Sequence, residues 1–331
     1  MKNWPDEFKY NPIPRLLDCG DKSISLFTQR DLLDKIAPIK DLWQFSIPKR
    51  ILRKQKSNGS WVYPGAKDHV RTQENYNQFE TYRNLGILIE EFGFDKKHPA
   101  IEKAAEYLFA FQTHHGDFRG IYGNQYSPNY SAGIAELLIK AGFGEDTRIK
   151  KALDWLISIR QNDGGWAIPF RTKNYGIKVI STHPETIEPD RSQPFSHMIT
   201  GVVLRAFSAH PEYRKSKEAK QAGKLLLLNL FNKDNYPDRA GAEFWLRFTY
   251  PFWFTDLISA LDSLSLLKFS KQEPRIDKAM KWFIGHQRRN GLWQLKVVKG
   301  QNKEVIQLWL ALAICRIFKR FCKPLFHEQS Y

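Results

Sequence analysis

A chain of 331 residues that is 42% hydrophobic, with 23 Phe, 13 Tyr and 10 Trp, can bury a sizeable core, which excludes wholesale disorder. Its formal net charge of +16 and pI near 9.6 call for an anionic partner or a basic outer surface. No RNP, zinc-finger or basic DNA-reading pattern accompanies the charge, so nucleic acid is not an expected partner.

In chain order, the first clear element is a helix over Tyr76–Phe92, apolar on most sides and closed by Gly93. A one-sided helix follows, with Ile101, Ala105, Leu108 and Phe109 on its stripe, then a mostly apolar helix over Asn129–Ala141 closed by Gly142. The next one-sided helix sets Ile149, Leu153, Leu156 and Ile157 against Lys150, Lys151 and Asp154, and the apolar helix Pro194–His210 comes after it. A fainter one-sided unit starts at Ala219 and precedes the apolar helix Pro251–Leu267. The last pair is a one-sided helix with Ile276, Met280, Phe283 and Ile284, then the apolar helix Lys303–Phe321. Its longest apolar stretch, Val305 to Phe318, is broken by Gln307 and Arg316 and is too short to span a bilayer.

Three of the one-sided helices superpose without a gap over 18 residues. Ile101, Ile149 and Ile276 open them; Lys103, Lys151, Lys278 and then Ala104, Ala152, Ala279 follow. Tyr107, Trp155 and Trp282 occupy the seventh position, and the units end on Gly116–Phe118, Gly164–Trp166 and Gly291–Trp293. The Ala219 unit keeps Ala222, takes Tyr236 as its closing aromatic and has Asp234 where the glycine belongs. Helices apolar all round are buried and one-sided helices cover them. The expected architecture is a ring of about five to six hairpins over residues 40 to 321, in a single domain 1–331 with capping segments at both ends.

The turns Gln55…Gly59-Ser60-Trp61, Gln112…Gly116-Asp117-Phe118 and Gln287…Gly291-Leu292-Trp293 share one spacing, and Arg160…Gly164-Gly165-Trp166 is a near match. This pattern resembles the QW repeat of the prenyltransferase and squalene-cyclase superfamily. The resemblance implies an all-α, (α/α) toroid with inner and outer helices, and a central cavity in which relatives hold isoprenoid chains. The chain contains no Asp-Asp pair, so the Asp-x-Asp-Asp acid motif and the Asp-Asp-x-x-Asp magnesium motif of such relatives are both missing. Asp18-Cys19 lacks the spacing of a prenyltransferase zinc site. No cofactor is expected, magnesium entering only alongside a bound diphosphate. Independently of the family, Gln at a helix end suits bridging its last carbonyls to the orphan N–H groups of the next helix.

Three segments carry candidate chemistry. In the first, Phe244, Trp245, Phe248, Tyr250, Phe252, Trp253 and Phe254 precede Asp256, with Ser259 and Ser263 following at helical spacing. A carboxyl in apolar surroundings keeps its proton, as an acid catalyst requires, and aromatic faces stabilise a carbocation. The competing reading is that Asp256 caps its helix and the aromatics are core. The second segment holds Asp190, Arg191, Phe195 and His197 ahead of an inner helix, with Asp190 as second-choice acid and a capped helix start as the alternative. The third, Arg119 to Tyr130, brings Tyr126 and Tyr130 to the start of another inner helix. Parallel inner helices would collect their N-termini at one mouth, where Arg119, Arg191, Arg239 and Arg247 could hold a diphosphate or carboxylate. Trp309 completes the expected substrate-binding aromatics. His114 and His115 are adjacent in a turn and do not suggest a metal site.

The leading expectation is a terpene-cyclase-like protein that binds an isoprenoid or similar hydrophobic chain, with protonation-initiated cyclisation as its chemistry. The alternatives are a polysaccharide lyase-type enzyme on an α/α toroid, suited to an acidic sugar, and a non-catalytic binder of anionic lipid or protein. The helix Val305–Leu325, with Arg316, Lys319, Arg320 and Lys323, suggests a peripheral contact with an anionic membrane. Cys19, Cys315 and Cys322 leave a thiol over from any disulfide, and the N-terminal residues lack an apolar signal core. A cytoplasmic location is the expectation from both.

Overall fold

The computed structural model describes residues 3–65, 72–120, 122–180, 183–298 and 304–322. Lys303, Lys323 and Leu325 lie outside the described residues. Twelve helices build six hairpins: α1 (Ile13–Leu17) with α2 (Lys22–Leu32), α3 (Ser46–Leu52) with α4 (Gln73–Phe92), α5 (Pro99–Phe109) with α6 (Pro128–Leu138), α7 (Thr147–Ser158) with α8 (His197–Ala209), α9 (Lys217–Asn229) with α10 (Leu257–Leu266), and α11 (Pro274–Gly285) with α12 (Glu304–Cys322). The even-numbered helices pack side by side in the order α2, α4, α6, α8, α10, α12, and α12 returns to α2, which closes an inner ring. The fold is therefore an all-α toroid with six inner helices.

Local chemistry sets the helix starts. Asp21, Asp146, Ser196, Ser216 and Asp256 accept backbone N–H groups as N-caps, and Thr72 forms a capping box with Asn75. Pro99, Pro128 and Pro274 stand in the first helical turn, where a missing N–H costs nothing. The caps move two inner starts from Pro194 and Pro251 to His197 and Leu257. The ring also begins at Ile13, well before residue 40, because α1 is only five residues long and carries no QW-type turn to reveal it.

The turn motifs tie neighbours together mainly through carbonyls, and Gln287 also through an N–H group, its Oε1 accepting from Tyr10 N (3.1 Å). Gln55 Nε2 donates to Gly59 O (3.0 Å) and to Ala100 O on α5 (2.8 Å). Gln112 Nε2 does the same to Gly116 O (2.9 Å) and Arg148 O on α7 (2.7 Å). Gln287 Nε2 donates to Gly291 O (2.8 Å) and to Tyr10 O (2.7 Å), which joins the last turn to the first. Gly116, at φ +114°, lies so close to α7 that a Cβ would meet Lys151 O at 2.5 Å. No other residue fits there. The indoles of Trp61, Trp166 and Trp293 donate to Ile51 O, Leu156 O and Phe283 O, each at the end of its own outer helix. In the fainter unit Trp245, not Tyr236, takes this place, donating to Asn232 O (2.9 Å) from a fully buried position.

Candidate functional site

The aromatic segment ahead of α10 is not a helix but a strap, residues 249–254, laid across the middle of the ring. Tyr250 stacks on Trp309 of α12 (5.1 Å, 6°), and its hydroxyl donates to Glu90 O of α4 (3.3 Å). Pro251 packs on Gly86 of α4. The carbonyls of Phe252 and Phe254 accept from Arg205 of α8 (2.9 and 3.3 Å). Arg205 in turn bonds Glu136 of α6 (2.8 Å), which Lys140 also reaches (2.8 Å), and Lys140 continues to Glu90 (2.5 Å). Burial pushes the Glu136 carboxyl up, but Arg205 and Lys140 together hold it below the usual carboxylate range.

The strap separates two regions. Toward the N-terminal half of α4, Trp253 meets Phe79 (5.9 Å) and stands edge-on to Tyr82 (5.5 Å, 90°), which meets Tyr130 of α6 (6.1 Å). Burial pushes the Tyr82 hydroxyl up to about 12. Tyr82, Phe79, Phe252 and Trp253 nevertheless keep accessible surface, and Phe254 is exposed. Phe79, Tyr82 and Trp253 thus gather partly open aromatic faces on this side of the strap. The indole N–H of Trp253 is buried and has no partner among the described residues.

On the other side of the strap, at the C-terminal ends of α2, α4 and α12, lies a cavity of about 600 Å³. Lys140 and Arg316 line it, with side chains 29% and 18% exposed. This cavity is charged and self-neutralised. Arg316 pairs with Asp31 (2.5 Å), Lys319 with Asp34 (2.7 Å), and Arg320 with Asp262. The basic groups of α12 therefore turn toward acidic partners and the negative ends of inner helices. No helix among the described residues is long and apolar enough to cross a membrane.

Asp256 lies beneath the strap, 1% exposed. Its Oδ1 accepts from Ser259 N (2.8 Å) and its Oδ2 from Thr249 N (3.3 Å), so one carboxyl caps α10 and holds the start of the strap. Burial outweighs those bonds and raises its pKa from an ordinary 3.8 to about 6. The native state thus holds this proton more tightly than the unfolded chain. The associated stability is complete below about pH 4 and is lost as pH rises through about 6. Between pH 4 and 7 the wild type is expected to lose about 2 kcal/mol relative to Asp256→Asn. Urea denaturation at both pH values checks this; a constant gap between the two proteins would disprove the raised pKa.

The structure brings Tyr250, Phe252, Trp253, Phe254, Trp309, Tyr130 and Asp256 together around the strap, while Arg247 lies outside it over the Phe244 ring. The other candidates sit elsewhere. Asp190 is a solvent-facing turn carboxylate bonded by Ser192 N (3.0 Å), Ser192 Oγ (2.6 Å) and Gln193 (3.2 Å), which hold it below the usual carboxylate range. His197 is buried at the start of α8, stacked on Trp245 (4.7 Å) and 3.3 Å from Asp234, and burial lowers its pKa. Tyr126 donates to Glu188 (2.7 Å) within a clasp between two loops, in which Gln125 donates to Glu185 O and accepts from Ile187 N. Arg191 is exposed, and Phe195 is buried against Gly165. Among the described residues no group of three or more His, Cys, Asp or Glu could hold a metal ion. Sequence reasoning missed Phe79, Tyr82, Arg205 and Glu136. The last two had a readable signal, since an Arg and a Glu inside apolar helices must find each other or another partner.

Two comparisons bear on this arrangement. The family model described as the squalene-hopene cyclase C-terminal domain matches residues 77–186 and 145–307, together more than two thirds of the chain. Among solved structures, the type II terpene cyclase MstE from Scytonema is similar at 14% identity, with 85% of this chain and 98% of that chain covered and a TM-score of 0.38. A variant of MstE in complex with geranylgeranyl dihydroxybenzoate as substrate gives 14%, 86%, 98% and 0.36. A protein from Actinoplanes gives 12%, 83%, 97% and 0.30. No curated protein matches the sequence at a significant level.

Proposed function

Because this chain belongs to the squalene-hopene cyclase C-terminal domain family, we propose that it is a terpene-cyclase-like protein that binds an isoprenoid or similar hydrophobic chain inside its ring. This reading puts the binding place in a hollow between Phe79, Tyr82 and Trp253, on the N-terminal side of the strap. One observation carries the reading: Tyr82 and Trp253 stand edge to face at 5.5 Å, are only partly covered by protein and keep open surface. Such surface has no partner in the ligand-free chain, and covering it with hydrocarbon is favourable by about 25 cal/mol per Å². Aromatic faces also suit any positive charge that develops on the chain.

Trp253→Ala should weaken farnesol binding about tenfold or more, the equivalent of one large side chain's burial. Isothermal titration with the intact protein measures it, with Tyr126→Phe as a control outside the hollow. Equal affinities for wild type and Trp253→Ala would refute the placement. The chemical step that fits the reading is protonation-initiated cyclisation, with Asp256 as donor: each of its oxygens accepts one N–H and keeps a lone pair for the proton. Asp256→Asn should then retain the ligand and stop product formation.

A further inference from the structure

Arg239 and Arg247 lie in the segment between α9 and α10, at the end of the ring where α8 and α10 begin. Both guanidinium groups sit over the Phe244 ring, at 5.6 and 4.7 Å from its centroid, and Arg239 also covers Phe254 at 3.3 Å. Neither arginine forms an ion pair or a side-chain hydrogen bond with another described residue, and the buried Nε of Arg247 has no partner. Both are partly buried. The buried carboxyl of Asp256, whose charge acts on Arg239, is already committed to the backbone N–H groups of Ser259 and Thr249. Burial, and then the charge of Arg247, pull the Arg239 guanidinium below its ordinary value. Two like charges held together on aromatic faces, with no ion-pair partner among the described residues, are costly in the empty protein and favourable once an anion joins them. This contrasts with the cavity at the opposite end, where Arg316, Lys319 and Arg320 each have an acidic partner.

The geometry points to Arg239 and Arg247 as the site for an anionic head group, a diphosphate or a carboxylate, on the isoprenoid chain. The proposal rests on the isoprenoid reading and narrows its substrate class to prenyl compounds with a charged end. Phe254 connects the two parts: Arg239 lies on its face, and it follows Trp253, which walls the hydrocarbon hollow. Two guanidinium groups supply the charge neutralisation and directed N–H donors that a phosphate or carboxylate needs.

The test titrates the intact protein with farnesol, farnesoic acid, farnesyl diphosphate and inorganic diphosphate. At least one anionic prenyl probe should bind about tenfold or more tighter than farnesol, as expected for a charge-assisted pair of contacts. The double variant Arg239→Gln/Arg247→Gln should bring that probe down to the farnesol affinity and leave farnesol unchanged, which also shows that the variant is folded. Trp253→Ala should weaken all prenyl probes alike. Farnesol binding as tightly as both anionic probes would overturn the arginine site and leave the isoprenoid reading standing. Inorganic diphosphate binding as tightly as farnesyl diphosphate would also overturn it, by showing a site for free anions. No binding of any prenyl probe would overturn the isoprenoid reading, and this proposal with it.

Discussion

Trp166→Ala is expected to destabilise the protein by about 3–5 kcal/mol, the range for truncating a large core aromatic. Trp166 has no exposed surface and stacks on Phe207 of α8 at 5.6 Å. Its indole donates to Leu156 O on α7 (2.7 Å), and its backbone N–H donates to Thr200 Oγ1 on α8 (2.9 Å). Alanine keeps the second bond but leaves a buried carbonyl without its donor and opens a void between an outer and an inner helix. Trp166→Phe should cost less, since it restores most of the volume and forfeits the N–H alone. Urea denaturation followed by circular dichroism measures both. An unchanged midpoint for the alanine variant would mean that the turn aromatics do not hold the ring together.

Arg205→Met should cost a similar amount, about 3–5 kcal/mol, for an electrostatic reason. Arg205 and Glu136 are 2% and 4% exposed, and the guanidinium also serves the carbonyls of Phe252 and Phe254. Its removal leaves Glu136 with Lys140 alone and strips two strap carbonyls of their donor. Adding Glu136→Leu should recover a large part of the loss, because the stranded charge goes with it. The two single variants and the double variant form a thermodynamic cycle whose coupling reads the pair. Additive losses would show that the two charges do not depend on each other.

Much of this protein is local, and what is local was legible in the sequence. An outer helix, a Gly-centred turn and a buried aromatic recur at one spacing, so Gly116, Trp166 and Trp293 announce the same joint wherever they occur. Helical periodicity separated the covering helices from the buried ones, because burial on one face or on all faces leaves different patterns. The choice of six within the expected five to six hairpins, the joint between Gln287 and Tyr10, and the place of α1 and α2 came only from the tertiary structure. Those contacts link residues some 277 positions apart, beyond the reach of any spacing rule. The same limit applied to the site. Seven aromatics marked residues 244–254 as important, but their order cannot say that the chain crosses the ring there. That crossing depends on Gly86, Arg205 and Trp309, which come from three different helices and meet only when the ring closes. Asp256 shows the division within one side chain. Its capping of α10 follows from its neighbours in sequence, while its raised pKa follows from the protein packed around it.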